Sequence, residues 1–363
     1  MVLSVSSARS VGSGLSDITP LLALGYSARW EALFEPYAAQ GLTPGRVIRG
    51  DRGSVLVATP GGILRAKFSP RLLKSAAATA DLPAVGDWVA VLASEDPDAS
   101  LIEAVLERAS AITRGDPDSP CDVQVLAANI DTVLLIHPIV EPPNLRRIER
   151  ELSVAWDSGA VPVVVLTKAD LSADPDAARA AVKSVALGAE VLVTSAPSGE
   201  GIGPILEFIS DHRTAVLIGP SGAGKSTLVN SLLGEQRQAT REVRVSDGRG
   251  MHTTVTRELI QMPGGGVLID TPGLRAFGLT GSEEGIASVF PEIEQSSRSC
   301  RFRDCTHTDE PGCSVLADVK SGALTRERLA SYHKLMEEAQ SVTAMKDARL
   351  RADKDRKRKR PQS

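Results

Sequence analysis

The sequence predicts an α/β protein in three parts: a small β-barrel, a larger domain built on a parallel sheet, and a compact C-terminal Cys/His module. Three observations predict it. Short β-rich runs broken by turn residues fill the stretch from 43 to 112. From Ile130 onward, short Val-, Ile- and Leu-rich runs alternate with helical stretches, the texture of buried parallel strands covered by helices on both faces. Three of the four cysteines lie between Cys300 and Cys313, with His307 among them.

Length and composition bound what such a chain can be. Its 363 residues suffice for two or three domains, and 42% hydrophobic residues suffice for their cores. Aromatic residues make up only 3%, which disfavours a nucleic-acid reader built mainly on stacked rings. No apolar run approaches the ~18 residues of a membrane span, so no membrane partner is expected. The Ser-rich N-terminus lacks the basic-then-apolar order of a secretory signal. Four cysteines, three of them clustered, are not a disulfide framework, so a reducing, cytoplasmic setting is expected. The net charge of −4 hides a basic end: residues 351–360 carry seven basic and two acidic side chains. Such a tail reads either as a solvated, disordered end or as a contact for a polyanion.

The elements follow in order. Residues 1–42 form an N-terminal extension with a short helix around 27–35. Residues 43–112 give strands at 46–48, 54–59, 63–68, 87–92 and 100–106, with Gly61-Gly62 and Asp96-Pro97 as breakers. Five short strands suit an OB-fold-like barrel, although an SH3-like barrel has the same texture. Residues 113–280 hold strands at 132–136, 161–166, 191–194, 215–218 and 267–269, with helices over 144–158 and 176–187. Residues 281–340 hold the Cys/His cluster and a charged helix over 325–340, and 341–363 are the basic tail.

The run Gly219-Pro220-Ser221-Gly222-Ala223-Gly224-Lys225-Ser226-Thr227 fits the phosphate-loop template G-x-x-x-x-G-K-[ST] between a strand and a helix. Its glycines let backbone N–H groups turn toward phosphates, and the following helix adds its N-terminal dipole. Lys225 is placed to reach the β- and γ-phosphates, and the Ser226 hydroxyl to ligate Mg²⁺. Downstream, a hydrophobic strand delivers Asp270, followed by Thr-Pro-Gly273. An Asp at a strand end beside a phosphate loop is where a second Mg²⁺ contact belongs, and the Gly273 N–H is free to approach the γ-phosphate.

The base is read from two earlier strand ends, Thr167-Lys168-Ala169-Asp170 and Ser195-Ala196. The Asp170 carboxylate can accept two hydrogen bonds from guanine N1–H and its exocyclic amine, a pair that adenine does not offer. The Ser195-Ala196 turn would close over guanine O6. These elements precede the phosphate loop, whereas ordinary GTPases carry them after it. A doubly wound sheet tolerates being cut at one loop and rejoined at its neighbouring termini.

With these motifs in this order, the chain resembles the circularly permuted GTPases, and specifically the RsgA family of small-ribosomal-subunit-dependent GTPases, from about Gly41 to Gln340. The departure is Thr167, where the common base motif has Asn. The resemblance implies a monomeric cytoplasmic GTPase that binds the small ribosomal subunit and its rRNA late in assembly. Its GTP hydrolysis to GDP would be stimulated by that subunit. It also gives His252 a catalytic role toward the attacking water. Thr253 or Thr254, on the same loop, would complete the Mg²⁺ shell when γ-phosphate is present. Leu274, where conventional GTPases position water with Gln, predicts slow intrinsic hydrolysis.

Cys300, Cys305, His307 and Cys313 supply three thiolates and an imidazole, a closed tetrahedral set suited to one structural Zn²⁺, and their spacing resembles the metal module of the same family. Cys121 stands apart as an incidental thiol. Arg301 and Arg303 sit between the first two ligands, facing either phosphate or water. Because the chain passes from the 270–273 switch directly into this module, loss of the γ-phosphate is expected to re-aim it. Two other readings remain open on the sequence: a P-loop ATPase or kinase, and an RNA-binding scaffold that nucleotide only locks.

Overall fold

A computed structural model describes residues 18–51, 53–96, 99–115, 123–234, 257–270 and 282–359. Helices α1 (Thr19–Leu22) and α2 (Ala28–Ala38) come first. The barrel follows as β1 (Thr43–Asp51), β2 (Ser54–Thr59), β3 (Gly62–Phe68), α3 (Pro70–Ser75), β4 (Trp88–Leu92) and β5 (Leu101–Val105). All five predicted strands form. Their order β1-β2-β3-β5-β4, with β4 pairing back onto β1 and β3 parallel to β5, closes a five-stranded Greek-key barrel of the OB-like kind. Val47, Val57, Ala66, Val89, Val91 and Ile102 fill its interior. Tyr26 and Trp30 lie 5.2 and 5.7 Å from the Trp88 ring, so the N-terminal extension caps one end of the barrel.

A ribbon of β6 (Ala111–Gly115) and β7 (Val123–Ala128) links the barrel to the second part. The sequence reading has no strands here. The α/β domain runs β8 (Thr132–Pro138), α4 (Leu145–Asp157), β9 (Val161–Thr167), α5 (Pro175–Lys183), β10 (Glu190–Val193), α6 (Ile202–Glu207), β11 (Thr214–Ile218), α7 (Lys225–Leu233), β12 (Glu258–Gln261) and β13 (Val267–Asp270). The sheet order is β10-β9-β8-β11-β13-β12, parallel except for β12. From β8 the chain steps outward to β10, then returns to lay β11 on the other side of β8. That reversal makes a topological switch point, where ligands bind at the carboxyl ends of strands. Leu134, Ile136 and Val163 face α6 and α7 on one side, and Val133, Leu135 and Val164 face α4 on the other.

The β12 edge meets β1 at Glu258 and Arg49, so barrel and domain share one continuous eleven-stranded sheet. The joint is pinned by Arg46, only 1% exposed. Its guanidinium donates to the carbonyls of Leu24, Gly86 and Asn129 and, at 2.8 Å, to Thr214 Oγ1 at the start of β11.

Among the described residues, four helices follow: α8 (Glu283–Val289), α9 (Pro291–Ser297), α10 (Ser314–Ser321) and α11 (Arg326–Lys359). The last helix does not stop at residue 340 but continues through the basic tail. Residues 341–359 contain no Gly or Pro and are rich in Lys, Arg and Ala, so no helix breaker stands in this stretch. Among the described residues no helix is long and apolar enough to cross a membrane.

Candidate functional site

The phosphate loop joins β11 to α7. A Cβ on Gly219 would stand 2.2 Å from the Ile136 carbonyl oxygen of neighbouring β8, so no side chain fits there. Gly222 and Gly224 have φ of 79° and 87°, the left-handed turn that aims successive N–H groups inward. Lys225 Nζ donates to the Gly219 and Pro220 carbonyls at 2.6 and 2.8 Å, drawing the loop around its ammonium. Ser226 and Thr227 occupy the first turn of α7, half-buried, and Ser221 is exposed at the loop's rim.

The base-reading segments converge on the same edge. Thr167 ends β9, buried, and its hydroxyl donates to the Ala223 carbonyl at 2.6 Å, tying β9 directly to the phosphate loop. Lys168 turns the chain at φ 61°, and the exposed Asp170 follows. Ser195, 1% exposed at the end of β10, donates to Asp170 Oδ1 at 2.6 Å and fixes the carboxylate's orientation. The Ala196 carbonyl accepts from Ser231 on α7 at 3.2 Å. Three hydroxyls thus join β9, β10, the loop and α7. Ser231 has no motif to announce it, because its bond is tertiary and 35 residues long in sequence.

The strand register places residue 270 at the end of β13, one position beyond the Ile269–Val216 pairing and hence on the phosphate-loop edge. His252, Thr253, Thr254, Gly273, Leu274 and Cys121 lie outside the described residues.

The four metal-ligating candidates come together. One ligand atom from each of Cys300, Cys305, His307 and Cys313 lies within 4.8 Å of all the others, so the set can hold a metal ion. Cys300 and Cys313 Sγ are 3.8 Å apart, and His307 Nδ1 is 3.4 Å from Cys313 Sγ and 3.7 Å from Cys300 Sγ. A tetrahedral ion with ~2.3 Å metal–sulfur bonds has S···S edges of about 3.8 Å, so the spacing fits. Burial and the two neighbouring thiols push Cys305 up to about 12. Burial opposes ionisation of Cys300 too, but the Ser314 and Val315 N–H groups at the start of α10 hold it below the usual thiol value. Three thiolates this close need a cation between them. Burial lowers His307, keeping the imidazole in the neutral form that ligates.

His307 sits at φ 61° on a loop that Glu310 organises. The Glu310 carboxylate accepts from Thr306 N and Oγ1 and from the Thr308 and Asp309 N–H groups, all within 3.2 Å. Glu310 is a loop-organising residue the sequence reading omits, since it resembles any exposed acid.

The module is bound to the α/β domain through Arg328 on α11. Its guanidinium donates to Glu149 on α4 at 2.6 Å, Glu292 on α9 at 2.7 Å and the Val289 carbonyl at 2.6 Å, and lies 4.1 Å from the Phe290 ring centre. Ser331 donates to the other Glu149 oxygen.

A family model described as RsgA GTPase matches residues 105–280. A Streptomyces avermitilis protein named small ribosomal subunit biogenesis GTPase RsgA is 47% identical over 359 residues, covering 96% of this chain and 94% of its own length. A Streptomyces coelicolor protein of the same name is 46% identical, covering 94% and 92%. Among solved structures, YjeQ from Thermotoga maritima superimposes with a TM-score of 0.63 at 26% identity, covering 82% of this chain and 99% of that one. YloQ, described as a circularly permuted GTPase, gives 0.60 at 25% identity, covering 83% and 96%.

Proposed function

Since the chain belongs to the RsgA GTPase family, we propose that it hydrolyses GTP to GDP and phosphate in the cytoplasm. It does so as a monomeric assembly factor that binds the small ribosomal subunit and its rRNA. The observation that carries this reading is the convergence, at one switch point, of the phosphate loop with an exposed Asp170 whose carboxylate is held by Ser195.

In this reading the 219–227 loop wraps the phosphates through its N–H groups. Lys225 exchanges its two loop carbonyls for phosphate oxygens, with little movement of the helix that carries it. Asp170 accepts from the guanine N1–H and amine, while the Ser195 hydroxyl donating to Oδ1 holds the carboxylate in orientation. The Lys168 stem and the Ala196 turn flank the base. Ser226, Asp270 and one of Thr253 or Thr254 would hold Mg²⁺, which when bound neutralises charge on the β- and γ-phosphate oxygens. His252 positions or polarises the attacking water, and Gly273 presents its N–H to the γ-phosphate. The Cys₃His set takes Zn²⁺ as a closed structural site that folds the 300–313 segment.

Phosphate release from GTP, measured with and without purified small subunits for wild type and His252→Ala, tests the reading. Strong stimulation, lost in His252→Ala, is expected. GTP bound tightly but never hydrolysed faster with subunits present would favour the nucleotide-locked scaffold. Equal competition by ATP would favour the ATPase or kinase.

A further inference from the structure

The segment between the first two metal ligands is an exposed aromatic–arginine platform. Phe302 is 42% exposed, although the fold buries most of its other large apolar side chains. The Arg301 guanidinium carbon lies 5.5 Å from the Phe302 ring centre. Arg298, Arg301 and Arg303 are all exposed, and none forms an ion pair among the described residues. Over 298–304 the only acid is Asp304, so the patch is basic on a chain whose net charge is −4.

The backbone beneath this patch is fixed. Arg301 N donates to the Gly312 carbonyl at 3.1 Å, and a Cβ on Gly312 would lie 3.0 Å from Arg301 Cβ, so the two chain segments that carry the first and last ligands touch. The adjoining Cys300 and Cys305 are both in the ligand cluster. A ring held at the surface on such a rigid base loses little conformational freedom when it stacks on a partner.

We propose that Phe302 is a stacking platform for an unpaired RNA base, with Arg301 bracing the ring and Arg303 and Arg298 meeting the flanking phosphates. The inference rests on the ribosomal reading above and names a contact within it. An aromatic face with unpaired guanidiniums around it matches an aromatic, anionic ligand. Bases within a duplex have both faces covered, which restricts the partner to looped or bulged nucleotides. An acidic protein segment would satisfy the arginines but leave the ring's face unused.

The test uses the full, zinc-loaded chain and a short single-stranded RNA carrying one 2-aminopurine, beside its duplex form, and separately purified small subunits. Phe302→Ala is expected to weaken single-strand binding about 5- to 100-fold and to remove the fluorescence quenching that stacking produces. Phe302→Trp should restore both. Arg303→Gln should lower the salt dependence by about one phosphate contact. Zinc content and GTP affinity should match wild type throughout. Equal binding of wild type and Phe302→Ala to the single strand overturns the proposal, as does duplex binding as tight as single-strand binding, or zinc loss in Phe302→Ala. Failure of wild type to bind small subunits, with quenching of the single strand intact, would strike the ribosomal reading and leave the platform standing.

Discussion

Two hydroxyls, those of Thr167 and Ser231, tie the base-reading segments to the phosphate loop and the helix behind it. Thr167 stands where the common base motif has Asn, yet its Oγ1 reaches the phosphate-loop carbonyl of Ala223 at 2.6 Å from a fully packed strand end. Thr167→Val keeps the shape and leaves that buried carbonyl without its partner, at a cost of about 1–3 kcal/mol. Thermal unfolding and GTP titration should both register the loss, and Thr167→Ser should recover most of it; a Val variant equal to wild type would show the bond to be dispensable. In the proposed function, guanine selection falls to Asp170. In Asp170→Asn the amide donates where the carboxylate accepted, which suits the C2 carbonyl of xanthine. GTP affinity should drop at least about 100-fold while XTP binding rises; unchanged selectivity would place base recognition elsewhere. At this scale the sequence is legible where chemistry demands a residue type at a fixed spacing, as in 219–227 and Asp170. Ser231 and Glu310 are illegible, because their bonds depend on which elements the fold brings together.

The element that shows this limit best is α4. Its start is readable, since Asn144 accepts from Arg147 N as an N-cap, and the sequence reading of 144–158 matches. Its buried acids are not. Glu149 and Glu151 are 3% and 4% exposed, and the Arg328 that accounts for Glu149 lies 179 residues downstream. Glu151 meets His137 Nε2 at the end of β8 and Arg147 Nε, each at 2.8 Å. Burial alone would raise its carboxyl, but these two partners outweigh burial and hold it below the ordinary value of 4.5. A carboxyl depressed in the folded state contributes stability above its unfolded value, and that contribution is lost as pH falls through the folded one. Glu151→Gln should therefore cost about 3 kcal/mol near neutral pH. The gap to wild type should narrow as pH drops below about 4.5. Denaturant melts at stepped pH check this, and a gap independent of pH would mean the pair contributes through shape alone.

Across the whole molecule, the chain order suggests that a nucleotide switch at 270–273, as proposed, would swing a free C-terminal module, and the packing argues for a different motion. Helix α8 follows the switch closely, and a Cβ on its Gly285 would stand 2.3 Å from the Ser153 carbonyl oxygen and 2.9 Å from Asp157 Cβ, so α8 lies directly against α4. Arg328 then fastens α11 to α4 and α9 together. Any push from the switch must move α4 with the module, or break a buried charge cluster whose disruption costs about 3–5 kcal/mol. Exchanging GDP for a non-hydrolysable GTP analogue should alter hydrogen-exchange protection in α4, α8 and α9 in concert; changes confined to α10 and α11 would mean the clamp yields. Gly285→Ala drives a methyl into the α4 contact, an overpacking cost of about 1–3 kcal/mol. Because Gly285 lies away from the phosphate loop, GTP affinity should hold while stimulation by small subunits falls. Full stimulation in that variant would show that the ribosomal signal reaches the nucleotide by a route other than α4, such as the barrel joint, where Arg46 and the β1–β12 pairing tie the barrel to the sheet that holds β11.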